Sequence, residues 1–127
     1  MVKENVRKLH EVLRTLHTVM LTTIDDRYQL VSRPMALRAD DFDGVLHLFA
    51  PMRSRAIANI TTRAAVNISH TSPTTSISIA GHAHLIDDVY EIALRWHRGL
   101  DPWFQKGRVG AVLIEVTVLE GRCWTLS

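Results

Sequence analysis

Apolar residues recur at three- and four-residue steps at the start of the chain. Val2, Val6, Leu9, Leu13 and Leu16 form one stripe, which predicts an amphipathic helix over 3–16. The pattern then shortens. Residues 17–24 are rich in Val, Met, Leu, Thr and Ile and end at Asp25-Asp26-Arg27, which reads as a strand and turn with 29–38 as the hairpin partner. "DDFDG", from Asp40 to Gly44, is the next turn, and its shortness predicts that the strands on either side are antiparallel neighbours. A third strand covers 45–50. Ser54 can cap a helix to about Thr62 that carries Ala56, Ile57, Ala58 and Ile60. A fourth strand over 65–70 stops at Ser72-Pro73. Ile77 and Ile79 alternate with Ser76, Ser78 and Ala80 in a fifth strand over 76–85, with a bend or bulge expected at Gly81. Asp88 and Glu91 make a capping box for a third helix that presents Val89, Ile92, Ala93 and Trp96 and ends before Asp101-Pro102. A β-branched strand over 111–119 resumes after Gly121 with Cys123-Trp124.

Six strands, three helices and mostly short turns predict a mainly β fold: an antiparallel, partly closed barrel with peripheral helices. No repeat, linker or low-complexity segment interrupts it, so one domain over 1–127 is expected. With 127 residues and 46% hydrophobic content, the chain supports a real core.

Charge narrows the partners. The net charge is only +2, and 12 of the 15 basic residues are arginines. The planar guanidinium donates two hydrogen bonds at once, a mild hint of an anionic ligand. No basic run and no basic stripe with interleaved aromatics points to nucleic acid. Cys123 is the only cysteine, so no internal disulfide is possible. The charged start lacks a signal peptide's apolar core, and no apolar run is long enough to span a bilayer. A soluble cytoplasmic protein without a membrane partner is the expectation.

Two segments are candidates for chemistry. The first is Ser54-Arg55 at a helix start, where unpaired N–H groups and the helix dipole favour a phosphate. Taken alone, a simple cap with solvated arginines is the better reading. The second is Ser32-Arg33-Pro34-Met35. Proline lacks a donor, so it marks either a protected edge strand or a place where a flat ligand edge lies beside the strand; the two readings stand level. Together the segments could bring two arginines to one phosphate.

With these segments in order, "SRPMAL…DFDGVLHLFAPMRSRAIANI…VNISH…SISIAGHAHLIDD" resembles the flavin-binding split-barrel superfamily of pyridoxamine 5'-phosphate oxidase-like proteins, most closely its bacterial general-stress-protein branch. The likeness runs from "VMLTTID" to the closing "CW" and rests on the order of several individually weak motifs. It implies a six-stranded antiparallel split barrel of the FMN-binding type that forms a homodimer, with two FMN sites in grooves at the interface. It also implies that Ser32, Arg33, Pro34 and Met35 run along the isoalloxazine and ribityl chain. Ala50 and Pro51 would lie near the ring, Ser54 and Arg55 would hold the phosphate, and Trp124 would pack near the partner's flavin. After Ser-Arg the family often has a lysine that pairs with the phosphate; here Ala56 stands instead. One lost charge-assisted contact is worth about 1.5–3 kcal/mol, roughly one to two decades in affinity. Ala56→Lys is then expected to tighten FMN if the pocket lacks a phosphate partner. The "DDRYQL" hairpin also lacks the glycine often found there.

Other residues suggest less. His82 and His84 share one strand face, but two ligands do not make a zinc site, and no spacing adds His70, so no metal is expected. Cys123 has no activating neighbour in sequence and reads as a small, semi-buried residue. Trp96 and Trp103 read as packing residues, and "GRVG" is too short for a nucleotide loop. The function expected is a flavin-dependent oxidoreductase in which no side chain stands out as acid or base. Alternatives are a non-catalytic flavin-binding stress protein and a split barrel that takes FAD, a deazaflavin or haem. Nucleic-acid binding on a small barrel is disfavoured by the modest charge and few aromatics.

Overall fold

The computed structural model describes residues 3–38 and 42–125, with side chains from Arg7 onward. The expected turn residues Asp40 and Asp41, Val2, and the side chain of Val6 lie outside the described residues.

The first helix, α1 (Lys3–Leu13), is three residues shorter than its stripe predicts. Leu9 and Leu13 are buried, and Leu16 packs partly against the same core. Five strands follow within the next 73 residues: β1 (Thr18–Ile24), β2 (Leu30–Ala36), β3 (Val45–Pro51), β4 (Ala65–Thr71) and β5 (Thr75–Ile86). Between β3 and β4 lies α2 (Arg55–Thr62), and after β5 comes α3 (Val89–Arg95). A 3₁₀ helix at Arg98–Trp103, absent from the sequence expectations, leads toward β6 (Ala111–Thr125). Pro102 sits inside that short helix, although Asp101-Pro102 in the sequence predicts only a stop.

The strands form one six-stranded antiparallel sheet in the order β2-β1-β4-β5-β6-β3. The curled sheet is mainly β and has the form of a split barrel. It corrects one expectation: β2 and β3 are not ladder neighbours. β2 pairs with β1, and β3 pairs with β6 along its whole length. Six strands that alternate in direction leave the first and last antiparallel, so β2 and β3 face each other as two unpaired edges across a seam. Pro34 is therefore on an edge strand, where a missing donor is tolerated. The buried Val112, Leu113, Ile114 and Val116 of β6 offer β3 the better partner.

The barrel interior packs Leu21, Leu46, Leu48, Ile68, Ile79, Ile114 and Val116 against α1 and α2. Each such side chain contributes about 1.5–3 kcal/mol on burial. A second cluster covers the outside of β3 and β6. There Phe49 meets Trp96 edge-on at 5.2 Å, and Trp96 meets Phe104 at 5.4 Å.

Gly81 does mark a bulge. Ala80 pairs with Glu120 and Gly81 with Val118, so Leu119 is an extra residue on β6. One extra residue reverses the facing of everything after it. Before the bulge Val112, Ile114, Val116 and Val118 point inward; after it Cys123 points inward and Trp124 outward. No helix among the described residues is long and apolar enough to cross a membrane.

Candidate functional site

The start of α2 is built as the sequence suggests. Ser54 is its N-cap, with extended backbone and a hydroxyl that accepts from the Ile57 N–H at 3.4 Å. The helical ladder begins with Ala58 N–H donating to Ser54 C=O at 3.2 Å, so the N–H groups of Arg55 and Ala56 lie ahead of it. The Arg55 side chain is 60% exposed, and one of its nitrogens lies 3.3 Å from Asp25 Oδ2. Partial positive charge, two leading N–H groups and an accessible guanidinium together fit a phosphate group.

Asp25 was missed in the sequence. Its carboxylate is 2% exposed, and Oδ1 accepts from Arg27 N–H at 2.9 Å and Gln29 N–H at 2.8 Å. The Gln29 N–H bond is the largest influence holding its pKa below the ordinary aspartate value; burial opposes it, and Arg27 N–H and the Arg55 and Arg27 charges reinforce it. Arg63 donates to the Asp25 carbonyl at 3.2 Å and lies 4.0 Å over the Tyr28 ring. Tyr28 takes φ 61°, a left-handed conformation that glycine adopts freely. Asn59 completes the junction by donating to Thr23 Oγ1 at 3.0 Å in a buried position. The β1–β2 turn is thus tied to α2 by three contacts whose partners lie 30 to 38 residues apart.

The other candidates divide between two faces of β2. Ser32 and Pro34 face outward: Ser32 shares a 2.6 Å hydrogen bond with Thr22, and Pro34 lies opposite Met20. Arg33 and Met35 face inward. Met35 is buried in the core, and Arg33 is half-buried without a hydrogen-bond or ion-pair partner among the described residues. Arg33 stands opposite Leu21, whereas Arg55 meets Asp25. Four residues of strand separate those levels, about 13 Å at the usual rise. The structure therefore does not set the two arginines at one level of the sheet, as the expectation of one shared phosphate requires.

Ala50 is buried in the core, so only its backbone can reach a ligand, and Pro51 is exposed at the end of β3. Trp124 is 53% exposed on the outer face opposite Ser76. It lines a small groove with Lys8 and Arg122, away from Ser54. Ala56 departs from its sequence reading: it is 3% exposed and packs in the core. A lysine there would start from a buried Cβ, so the position is not an empty place on the exposed surface beside Ser54 and Arg55.

Two further concavities carry charge. One of about 700 Å³ is bordered by Arg38, His47, Phe49, Arg95, Trp96 and Glu115, with His47 Nε2 3.3 Å from Glu115 Oε2. Another of about 370 Å³ gathers Arg14, Arg38, Arg98 and Trp103. Sequence gave no signal for either, because the contributing residues come from distant elements. No group of three or more His, Cys, Asp or Glu among the described residues could hold a metal ion; His82 and His84 are exposed, and His70 bonds the Thr18 carbonyl at 3.0 Å instead.

With this geometry in place, known proteins can be compared. Among solved structures, general stress protein 26 from Bacillus anthracis str. Sterne superposes with a TM-score of 0.76 at 20% identity, covering 96% of this chain and 92% of that one. The general stress FMN/FAD binding protein from Xanthomonas citri gives a TM-score of 0.80 at 21% identity, covering 99% and 92%. A protein related to general stress protein 26 from Clostridium acetobutylicum gives 0.82 at 12% identity, covering 98% and 91%. These likenesses show the fold. Comparison with curated proteins finds no match. The family model described as "Pyridoxamine 5'-phosphate oxidase like" matches residues 4–127, and the chain belongs to that flavin-binding split-barrel family.

Proposed function

We propose that this chain is a cytoplasmic, homodimeric FMN-binding protein and that the flavin serves an oxidoreductase reaction. The observation that carries the reading is the start of α2: Ser54 capping, two N–H groups ahead of the ladder, and an exposed Arg55 guanidinium. Ser54 and Arg55 bind the terminal phosphate. Arg33, half-buried and without a partner among the described residues, lies alongside the isoalloxazine and ribityl chain from the inner side of β2. The unpaired edge of β2 beside Pro34 supplies backbone groups that fix the orientation of a flat ring. FMN, when bound, supplies a two-electron carrier, and the chain's own groups supply binding and electrostatics.

Dimerisation is supported by the outer face of the sheet. Thr22, Ser32, Ser69, Ser78 and Ala80 are small and lie on neighbouring strands, and exposed Met20, Leu30, Leu119 and Trp124 surround them. A face of small residues edged by exposed apolar side chains suits a second copy of the chain.

The test is a visible spectrum of the purified protein after FMN is added and excess removed by gel filtration. A two-band flavin spectrum at about one FMN per chain, eluting at dimer mass, is the expected result; a colourless monomer refutes the reading. A sharp Soret band would put haem in its place. Arg55→Ala should weaken FMN by roughly one to two decades, the value of one charge-assisted bond. Turnover of NAD(P)H at catalytic FMN separates the oxidoreductase from a flavin carrier without a substrate.

A further inference from the structure

Asp25 has an unusual division of labour between its oxygens. Oδ1 is committed to the backbone of its own turn, through Arg27 N–H and Gln29 N–H. Oδ2 is directed at a residue 30 positions away, Arg55. The carboxylate is almost wholly buried, while the Arg55 side chain is mostly exposed. The pair is therefore asymmetric: a fixed anion behind, and a cation in front with donors still open to solvent.

From this we infer that Asp25 is a positioning residue for anion binding: it holds the Arg55 guanidinium across the mouth of α2 so that its remaining donors face a ligand phosphate. This rests on the phosphate reading of Arg55 given above. An exposed arginine samples many rotamers, and fixing it on binding costs affinity. A contact that fixes it beforehand removes part of that cost. Asp25 also brings negative charge near an anion, which acts in the opposite sense. Positioning outweighs repulsion here because the carboxylate is recessed and its charge is already met by two N–H groups and Arg55. The hairpin does not depend on this carboxylate alone for its place on α2. Arg63 grips the Asp25 carbonyl and stacks on Tyr28, and Asn59 bonds Thr23.

Asp25→Asn is the discriminating change. The amide oxygen keeps both turn bonds, and the Nδ2 donor is left facing the Arg55 donor. Affinities for FMN and for riboflavin, which shares the ring but lacks the phosphate, are measured by fluorescence titration for wild type, Asp25→Asn, Arg55→Ala and the double variant. FMN affinity should fall about tenfold in Asp25→Asn while riboflavin is nearly unchanged, and Asp25→Asn should add nothing in the Arg55→Ala background. Equal losses for both flavins, an undiminished loss without Arg55, or tighter FMN would each overturn the role of Asp25 while leaving the phosphate site standing. If Arg55→Ala itself leaves the FMN-to-riboflavin ratio untouched, or wild type retains neither flavin, the phosphate reading fails and this assignment falls with it. Should Asp25→Asn fail to fold, Asp25→Ser keeps a hydroxyl for the turn and is judged by the same ratio.

Discussion

Replacing Gly81 by alanine tests whether the bulge is what sets the end of β6. Gly81 has no left-handed backbone, so alanine can take its φ. The obstacle is space: an added Cβ would lie 2.6 Å from the Thr117 carbonyl oxygen and 2.7 Å from a Val116 methyl. A methyl can rotate away, but the carbonyl belongs to the paired strand. Two effects of opposite sign compete. Removing glycine's unfolded-state freedom stabilises by about 0.4–1 kcal/mol. Overpacking costs about 1–3 kcal/mol, and a backbone obstacle puts this case near the upper end. The net expectation is a loss of about 2 kcal/mol. At about 2.1 cal/mol/K of unfolding entropy per residue, a chain of 127 residues should lose about 7 °C in Tm. The assay is thermal unfolding by circular dichroism, beside His82→Thr, an exposed neighbour on the same strand whose effect should stay within about 0.5 kcal/mol. A Gly81→Ala protein that melts within about 2 °C of wild type would refute the argument, since it would mean that β5 and β6 separate at the bulge without cost.

Two other outcomes follow from the same geometry. Ala56→Lys should lower stability by at least about 1–3 kcal/mol, because it overpacks a core position and brings a charge toward it; unchanged urea unfolding would show that the lysine escapes to the surface. The Asp25 pKa is lowered on folding, so its ionised form stabilises the protein fully above the ordinary aspartate pKa of about 3.9, and that contribution fades as pH falls through the lower folded value. The stability gap between wild type and Asp25→Asn, measured in urea across pH 2–7, should be constant above about pH 5 and close toward acid; a gap that widens toward acid would contradict the direction of the shift.

What the sequence revealed follows from how local each signal is. Ser54 and Asp88 were readable as caps because a cap is decided by residues two or three places away, and both accept the bonds expected of them. The bulge at Gly81 was readable because glycine interrupted a clean alternation. The neighbour of β3 was not, because its choice of β6 over β2 depends on a strand 60 to 72 residues later. Asp25 escaped for the same reason: "TIDD" looks like any turn, and nothing local announces an arginine 30 residues on. Ala56 is different, since its direction was present in the chain. Ala56, Ile57 and Ile60 fall on one helical face, and that face is the buried one, while Arg55, Ala58 and Thr62 point away from it. By family motif, position 56 sets a lysine against an alanine as charge gained or lost. By helical period it is a core residue, so the exposed start of α2 offers an anion only Arg55 and the leading backbone N–H groups. The consequence is that flavin affinity in this chain should be governed by how Arg55 is held, rather than by the missing lysine.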